Sequence, residues 1–176
     1  PCDDMNLQFH IPLTAGNPFA DHLADNARQN DTITVRGPAG NFTLNEDSPR
    51  SLVFIAMNAG FAAVKSLIEH AMALDIAEQM HLYWITTSGN SHYLDNLCRS
   101  WEDAFDNFHY TAMETDDETT IEGLLPGIAG DFDNLAAHDC YVCAPDPLLD
   151  GMETWLHGSG LPHSQLRLEP VRQLTD

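Results

Sequence analysis

With 176 residues the chain has room for one ordinary domain, or one domain and part of another, and a 43% hydrophobic content suffices for a packed core. Seven Lys+Arg against 27 Asp+Glu leave a formal net charge of −20, which argues against a nucleic-acid or anionic-membrane partner held by a cationic face. No apolar run approaches the ~20 residues that span a bilayer, and residues 1–15 carry neither a basic leader nor an apolar stretch, so the expected location is the cytoplasm.

Residues 6–13 alternate apolar and polar and read as an edge-type strand, because Pro12 has no N–H for a ladder. Gly16-Asn17-Pro18 is a turn, and Pro18 to Asn26 suits a short helix with Phe19 and Leu23 on one face. Residues 32–36 form a second candidate strand, stopped by Gly37-Pro38. From Ser51 the texture changes. Leu52 to Ala56 is an unbroken apolar run, the pattern of a parallel strand buried on both faces. After the loop Met57-Asn58-Ala59-Gly60, residues Phe61, Val64, Leu67, Ile68 and Ala71 mark one face of a helix.

A strand at His81–Ile85, a helix from Tyr93 to Ala104 and a strand at Phe108–Ala112 follow. Residues 114–139 are acidic and Gly-rich, with short helical pieces expected around Ile121–Leu125 and Phe132–Ala137. Then come a strand at Cys140–Cys143, a helix from Pro147 to His157, and a last strand at Gln165–Glu169. This alternation predicts an α/β fold: a parallel five-stranded sheet in the order 3-2-1-4-5, with right-handed crossovers and helices on both faces.

Lys65 is the only lysine, and 18 Asp outnumber 9 Glu. A lysine-poor, Asp-rich surface resembles that of proteins from salt-loving organisms, where screening relieves self-repulsion. Cys140-Tyr141-Val142-Cys143 has the spacing of zinc and redox sites, but in a strand residues three apart point to opposite faces, so it is read as strand sequence. Nine histidines show no His-x-x-x-His pair, and no metal site is expected. Asp116-Asp117-Glu118 reads as a solvated charge run. No phosphate-binding loop, Gly-x-Gly-x-x-Gly or Gly-x-Ser-x-Gly is present.

Several segments occur in a telling order: Phe9-His10-Ile11, Gly37 to Phe42, Leu52 to Ala56 with the loop to Gly60-Phe61, Val64 to Ile68, His81 to Trp84, Tyr93-Leu94, Phe108 to Tyr110, Asp139 to Pro145, and Gly160-Leu161-Pro162. Together they resemble the nicotinamide-binding domain of the ferredoxin–NADP reductase superfamily, preceded by the end of its flavin-binding β-barrel. The nearest subgroup is the reductase components of bacterial oxygenases. The resemblance implies that residues 1–46 are a remnant of the flavin-binding barrel and 51–176 a nicotinamide-dinucleotide-binding-like domain. It implies NAD(H) as cofactor, and FAD only where the missing barrel half is supplied. Met57, Asn58, Ala59, Gly60, Thr86, Thr87, Ala144, Pro145 and Asp146 would line the dinucleotide, with Cys143 beside the nicotinamide as the catalytic candidate.

The departures carry their own expectations. Where the family has Gly-Gly-Thr-Gly, with backbone N–H groups taking the pyrophosphate, this chain has Met57-Asn58-Ala59-Gly60, so side-chain bulk is expected to crowd the phosphates. The family's Cys-Gly-Pro becomes Cys143-Ala144-Pro145. The flavin-holding Arg-x-Tyr-Ser segment would fall before Pro1, and Ala20 stands where a hydroxyl is expected. Residues 86–92 contain no Arg or Lys, which favours NAD over NADP.

Three readings follow. The chain is an NAD(P)H-dependent flavoprotein oxidoreductase passing electrons to a partner protein, or a degenerate, non-catalytic relative serving as a binding or assembly subunit. In either case it is read as a fragment of a longer polypeptide, whose flavin-domain segment would complete the barrel.

Overall fold

The computed structural model describes residues 7–12, 17–37, 39–116 and 123–171. Asn6, Leu13, Gly16, Asp117, Glu118 and Ile121, on which expectations also fell, lie outside them. Helix α1 (Pro18–Asp25) begins where the Asn17 carboxamide accepts from the N–H groups of Phe19 and Ala20, satisfying two donors that the first turn leaves orphaned.

Strands β1 (Ser51–Met57), β2 (Met80–Thr87), β3 (Phe108–Thr115), β4 (His138–Pro145) and β5 (Leu166–Val171) form one sheet in the order β3-β2-β1-β4-β5. Every pairing is parallel and β1 is central, as expected from its apolar run. Helices α2 (Phe61–Leu74) and α3 (Asp95–Ala104) cover one face; α4 (Leu125–Gly130) and α5 (Asp146–Gly158) cover the other. Alternation along β1 divides its side chains between two cores. Leu52, Phe54 and Ala56 meet Phe61, Val64 and Ile68 of α2, while Val53, Ile55 and Met57 meet Leu149, Met152 and Leu156 of α5. β4 does the same: Cys143 lies in the first core and Cys140 in the second, so the two thiols are on opposite faces.

The N-terminal segment differs from expectation. Residues 7–12 and 32–36 form no strands and do not pair. Two short segments make a marginal ladder unless a hydrophobic face is covered, and Phe9, Ile33 and Val35 are 58%, 52% and 53% exposed. Ile11 is half-buried. Residues 39–50 do pack on the sheet domain. Phe42 and Leu44 lie against the first core, the Asn45 N–H donates to Tyr141 Oη (2.9 Å), and Glu46 meets His70 (2.9 Å).

Candidate functional site

In an open parallel sheet, ligands bind outside the carboxyl ends of the strands where the strand order reverses. Here that point is the end of β1. Met57 is the last residue of β1 and fully buried in the second core, so its side chain does not crowd the loop as expected. The chain then makes a 3₁₀ turn (Asn58–Gly60) into α2.

Asn58 has φ = +49°, in the left-handed region that favours glycine and that Asn tolerates best among other residues. Its side chain turns toward the end of β2: Oδ1 accepts from the Thr87 N–H (3.0 Å) and Nδ2 donates to Thr87 Oγ1 (3.1 Å). Its carbonyl accepts from Trp84 Nε1 (3.1 Å). Where the resemblance implies glycine, Asn58 thus keeps a left-handed backbone and braces β1 to β2. Gly60 allows no substitute. A Cβ there would lie 2.3 Å from the Cys143 carbonyl oxygen and 3.1 Å from Val171 Cγ2, so glycine sets the close approach of α2 to β4.

The first turn of α2 has neither an acidic residue nor a side-chain cap, which leaves its positive end available to an anion. Beside it lies a cavity of about 550 Å³, within the size range of small-molecule sites. Asn58 and Ala59 form one wall, Gly89, Asn90, Ser91, Tyr93 and Leu94 another, and residues 8 and 10–12 a third. Among the described residues no Arg or Lys lines it. Tyr93 closes the aromatic cluster beneath: Phe61 stacks on Trp84 (centroids 3.9 Å apart), and Trp84 meets Tyr93 edge-on at 5.1 Å.

His10 Nδ1 and Tyr93 Oη are 2.7 Å apart, tying the N-terminal segment across the cavity. Burial, and then the nearby Lys65 charge, lower the His10 pKa from its ordinary value, so neutral imidazole is favoured. Lys65 itself is occupied by Glu69 at 2.7 Å.

Thr86 is buried, Thr87 is held by Asn58 and Asn90, and His92 points inward, its Nε2 donating to the Trp84 carbonyl (2.8 Å). At the end of β4, Cys143 is buried, and burial followed by the Glu169 charge pushes its thiol up to about 12. At neutral pH it is a protonated thiol and no nucleophile. Ala144 lies in the second core, Pro145 leads into α5, and Asp146 is exposed in the first turn of that helix. Of the expected residues, the cavity brings together Asn58 and Ala59 only; Cys143 adjoins through its carbonyl against Gly60. Sequence reasoning missed His10, Asn90 and Tyr93. Both Phe9-His10-Ile11 and Tyr93-Leu94 stood among the segments that carry the resemblance, but neither was assigned a place in the site.

No protein-family model matches the chain. Among curated proteins it is 26% identical over 147 residues to the CDP-6-deoxy-L-threo-D-glycero-4-hexulose-3-dehydrase reductase of Yersinia pestis, covering 81% of this chain and 44% of that one. It is 29% identical over 175 residues to the reductase component of propane 2-monooxygenase from Gordonia sp. (strain TY-5), covering 94% of this chain and 50% of that one. The chain therefore spans about half the length of these relatives. Among solved structures, ferredoxin–NADP⁺ reductase from Plasmodium falciparum superposes with a TM-score of 0.72 at 15% identity, over 86% of this chain and 64% of that one. Joined to the sheet order and the glycine-pinned loop at its carboxyl edge, these likenesses make the chain similar in sequence and fold to reductases of the ferredoxin–NADP reductase superfamily.

Proposed function

We propose that this chain is the nicotinamide half of an NAD(P)H-dependent flavoprotein electron-transfer reductase, with NADH preferred to NADPH. The observation that carries the reading is the uncapped start of α2, held against β4 by Gly60 and opening onto a cavity at the carboxyl edge of the sheet. A glycine that no Cβ could replace and a helix end with no acidic side chain fit a pyrophosphate. Backbone N–H groups around Ala59–Phe61 would hold it. Asn90 and Ser91 would face the adenosine side, and Thr86, Ala144, Pro145 and Asp146 would border the nicotinamide side. Among the described residues the cavity offers no Arg or Lys for a 2′-phosphate. NADH, when bound, supplies the hydride. This chain's own contribution is to orient the dinucleotide at the carboxyl end of the sheet.

FAD would be held by a flavin-binding barrel of which residues 1–46 are a remnant, and the electrons would pass to a partner protein. That relatives along most of the chain are reductases supports this reading over a non-catalytic one. The bracing of Asn58 supports it too, since that substitution preserves the loop. Binding should be weak, because Ala59 stands where the family loop has a Thr hydroxyl.

Calorimetric titration of the chain with NADH and NADPH tests the reading. Weak NADH binding, with NADPH no tighter, is expected. Asn58→Asp, which keeps the left-handed backbone but adds a negative charge at the phosphate site, should weaken NADH by about tenfold or more. No binding at millimolar NADH, or indifference to Asn58→Asp, overturns it.

A further inference from the structure

At the other end of the sheet is a cluster that the reductase reading does not use. α5 starts at the carboxyl end of β4 and runs back to the start of β5, so its last turns lie at the edge remote from the cavity. Glu153 and His157 stand four residues apart on one face of α5. The chain leaves the helix through Gly160, whose φ of +97° a side chain would rarely adopt. It then forms a 3₁₀ turn (His163–Gln165) that lays the His163 ring against His157, with centroids 3.6 Å apart. One ligand-type atom from each of Glu153, His157 and His163 lies within 4.8 Å of the other two.

His157 is oriented in the way metal-ligating histidines are. Its Nδ1 lies 2.7 Å from the Leu161 carbonyl oxygen, which can only accept, so Nδ1 carries the proton and the neutral ring presents a lone pair at Nε2. That Nε2 is buried without a hydrogen-bond partner among the described residues; a Glu153 carboxylate oxygen is 3.6 Å away. A buried acceptor with nothing to accept is costly, and a cation at that position would satisfy it. Glu153 is partly exposed and His163 exposed, so both can close on an ion from one side. Arg167, the nearby cation, is turned to the Ser164 and Leu166 carbonyls at 3.0 and 3.1 Å. A cavity of about 310 Å³ lined by Glu153 and His163 leaves room for water as a further ligand.

We propose that Glu153, His157 and His163 form a binding site for a divalent transition-metal ion of the zinc class, clasping the end of α5 to the start of β5. Two imidazoles and one carboxylate suit Zn²⁺ and its neighbours and disfavour Mg²⁺ and Ca²⁺, which take all-oxygen shells. With zinc–nitrogen bonds of about 2.0–2.1 Å, tetrahedral ligand atoms stand roughly 3.3 Å apart, so the three atoms must draw together by up to about 1.5 Å and the His163 ring must swing off the face of His157, within the reach of solvent-facing side chains. The site is far from the dinucleotide edge, and its role is structural.

The test uses the untagged full chain, stripped with EDTA and titrated with Zn²⁺ in a competition assay with a colorimetric chelator, followed by thermal unfolding. One Zn²⁺ should bind, and at about a hundredfold excess over Kd the Tm should rise by roughly 5–10 °C. Millimolar Mg²⁺ should not compete. His163→Ala and Glu153→Gln, whose side chains face solvent, should fold normally and lose the site; His22→Ala, on exposed α1, should keep it. Binding of Co²⁺ should give visible absorption that disappears in His163→Ala. No stoichiometric Zn²⁺ binding, or binding unchanged in both His163→Ala and Glu153→Gln, overturns the proposal.

Discussion

Phe54 and Phe9 carry the same side chain, yet Phe54 is fully buried and Phe9 is 58% exposed. The regions around them differ in the same way. Residues 51–171 bury β1, β2 and β4 on both faces between two pairs of helices, while residues 7–37 place Leu7, Phe9, Ile33 and Val35 in solvent and hold one short helix. Composition does not explain this, since both stretches carry apolar residues at intervals a strand could use. Cover does. A strand is stabilised by the layers that remove its apolar face from water, and the sheet domain supplies its own layers where the N-terminal segment does not. The largest expected effect follows directly. Phe54→Ala should lower stability by about 3–5 kcal/mol in urea denaturation, as large core truncations do. A loss below about 1 kcal/mol would mean that the sheet core is not as packed as the geometry has it.

Gly60 extends the comparison to the carboxyl edge, where the sheet domain is tight enough to reject one methyl group. The atom that a Cβ would meet at 2.3 Å is a backbone oxygen, which cannot rotate away. Gly60→Ala should therefore cost roughly 1–3 kcal/mol and displace α2 from β4, with loss of NADH binding. Gly127→Ala in α4, where an added Cβ meets nothing within 4 Å, should instead be neutral or gain about 0.5–1 kcal/mol. Equal responses of the two variants would remove close packing as the reason for Gly60.

The same contrast explains what could be read from the sequence. The strand order, the central place of β1 and the opposed faces of Cys140 and Cys143 were legible because they depend on side-chain periodicity, which is local. The strands at 6–13 and 32–36 were misread because alternation is necessary for a half-buried strand but does not supply the partner. At the candidate site Gly60 was legible, while the consequence drawn from Met57 was not. One residue of register decides whether that side chain enters the loop or the core, and β1 runs through Met57 into the core. Asn58 looked like an obstruction because its positive φ and its bonds to Thr87 are tertiary facts. The Glu153–His157–His163 cluster escaped a search for paired histidines because its third member follows a glycine turn.

Within the sheet domain, the amino-terminal edge carries a pH dependence of its own. His81 packs against His109 (centroids 4.8 Å apart), Phe132 (4.9 Å) and His138 (6.3 Å). Burial first, then the charges of His109 and His138, bring its pKa from 6.5 to about 4, against an opposing pull from Asp131. Above pH 6.5 the ring is neutral in both folded and unfolded chains and nothing changes. As pH falls from 6.5 to about 4, the unfolded chain takes a proton that the fold refuses, so stability declines; below that range both states are protonated and the loss is complete. The decline should reach about 1–3 kcal/mol, allowing for partial solvent screening. His81→Gln should flatten this part of the stability–pH profile, and an unchanged slope would place its origin elsewhere.

Salt acts on both regions alike and so separates charge from cover. With a net charge of −20, raising NaCl from low to molar concentration shortens the screening length to about 3 Å and should stabilise the fold by about 1 kcal/mol, a Tm gain of a few degrees. A Tm that is flat or falling across that range would remove the ground for reading the Asp-rich, lysine-poor composition as an adaptation to salt.

The smallest effect on stability is expected where the comparison began. Phe9, Ile33 and Val35 are more than half exposed, so replacing them removes little area that folding had buried. Phe9→Ser and Val35→Ser should each change the unfolding free energy by less than about 0.5 kcal/mol, against the several kcal/mol expected of Phe54→Ala. If these side chains are instead the inner face of a flavin-binding barrel completed by other polypeptide, their cost appears only when that polypeptide is present. Mixed with a flavin-loaded barrel domain of an oxygenase reductase, the unmodified chain should associate more tightly than the doubly substituted one, read as a shift in sedimentation. A large loss of stability in either single variant would show that the N-terminal segment packs within this chain. An unchanged association would leave its exposed apolar side chains without the barrel as their cover.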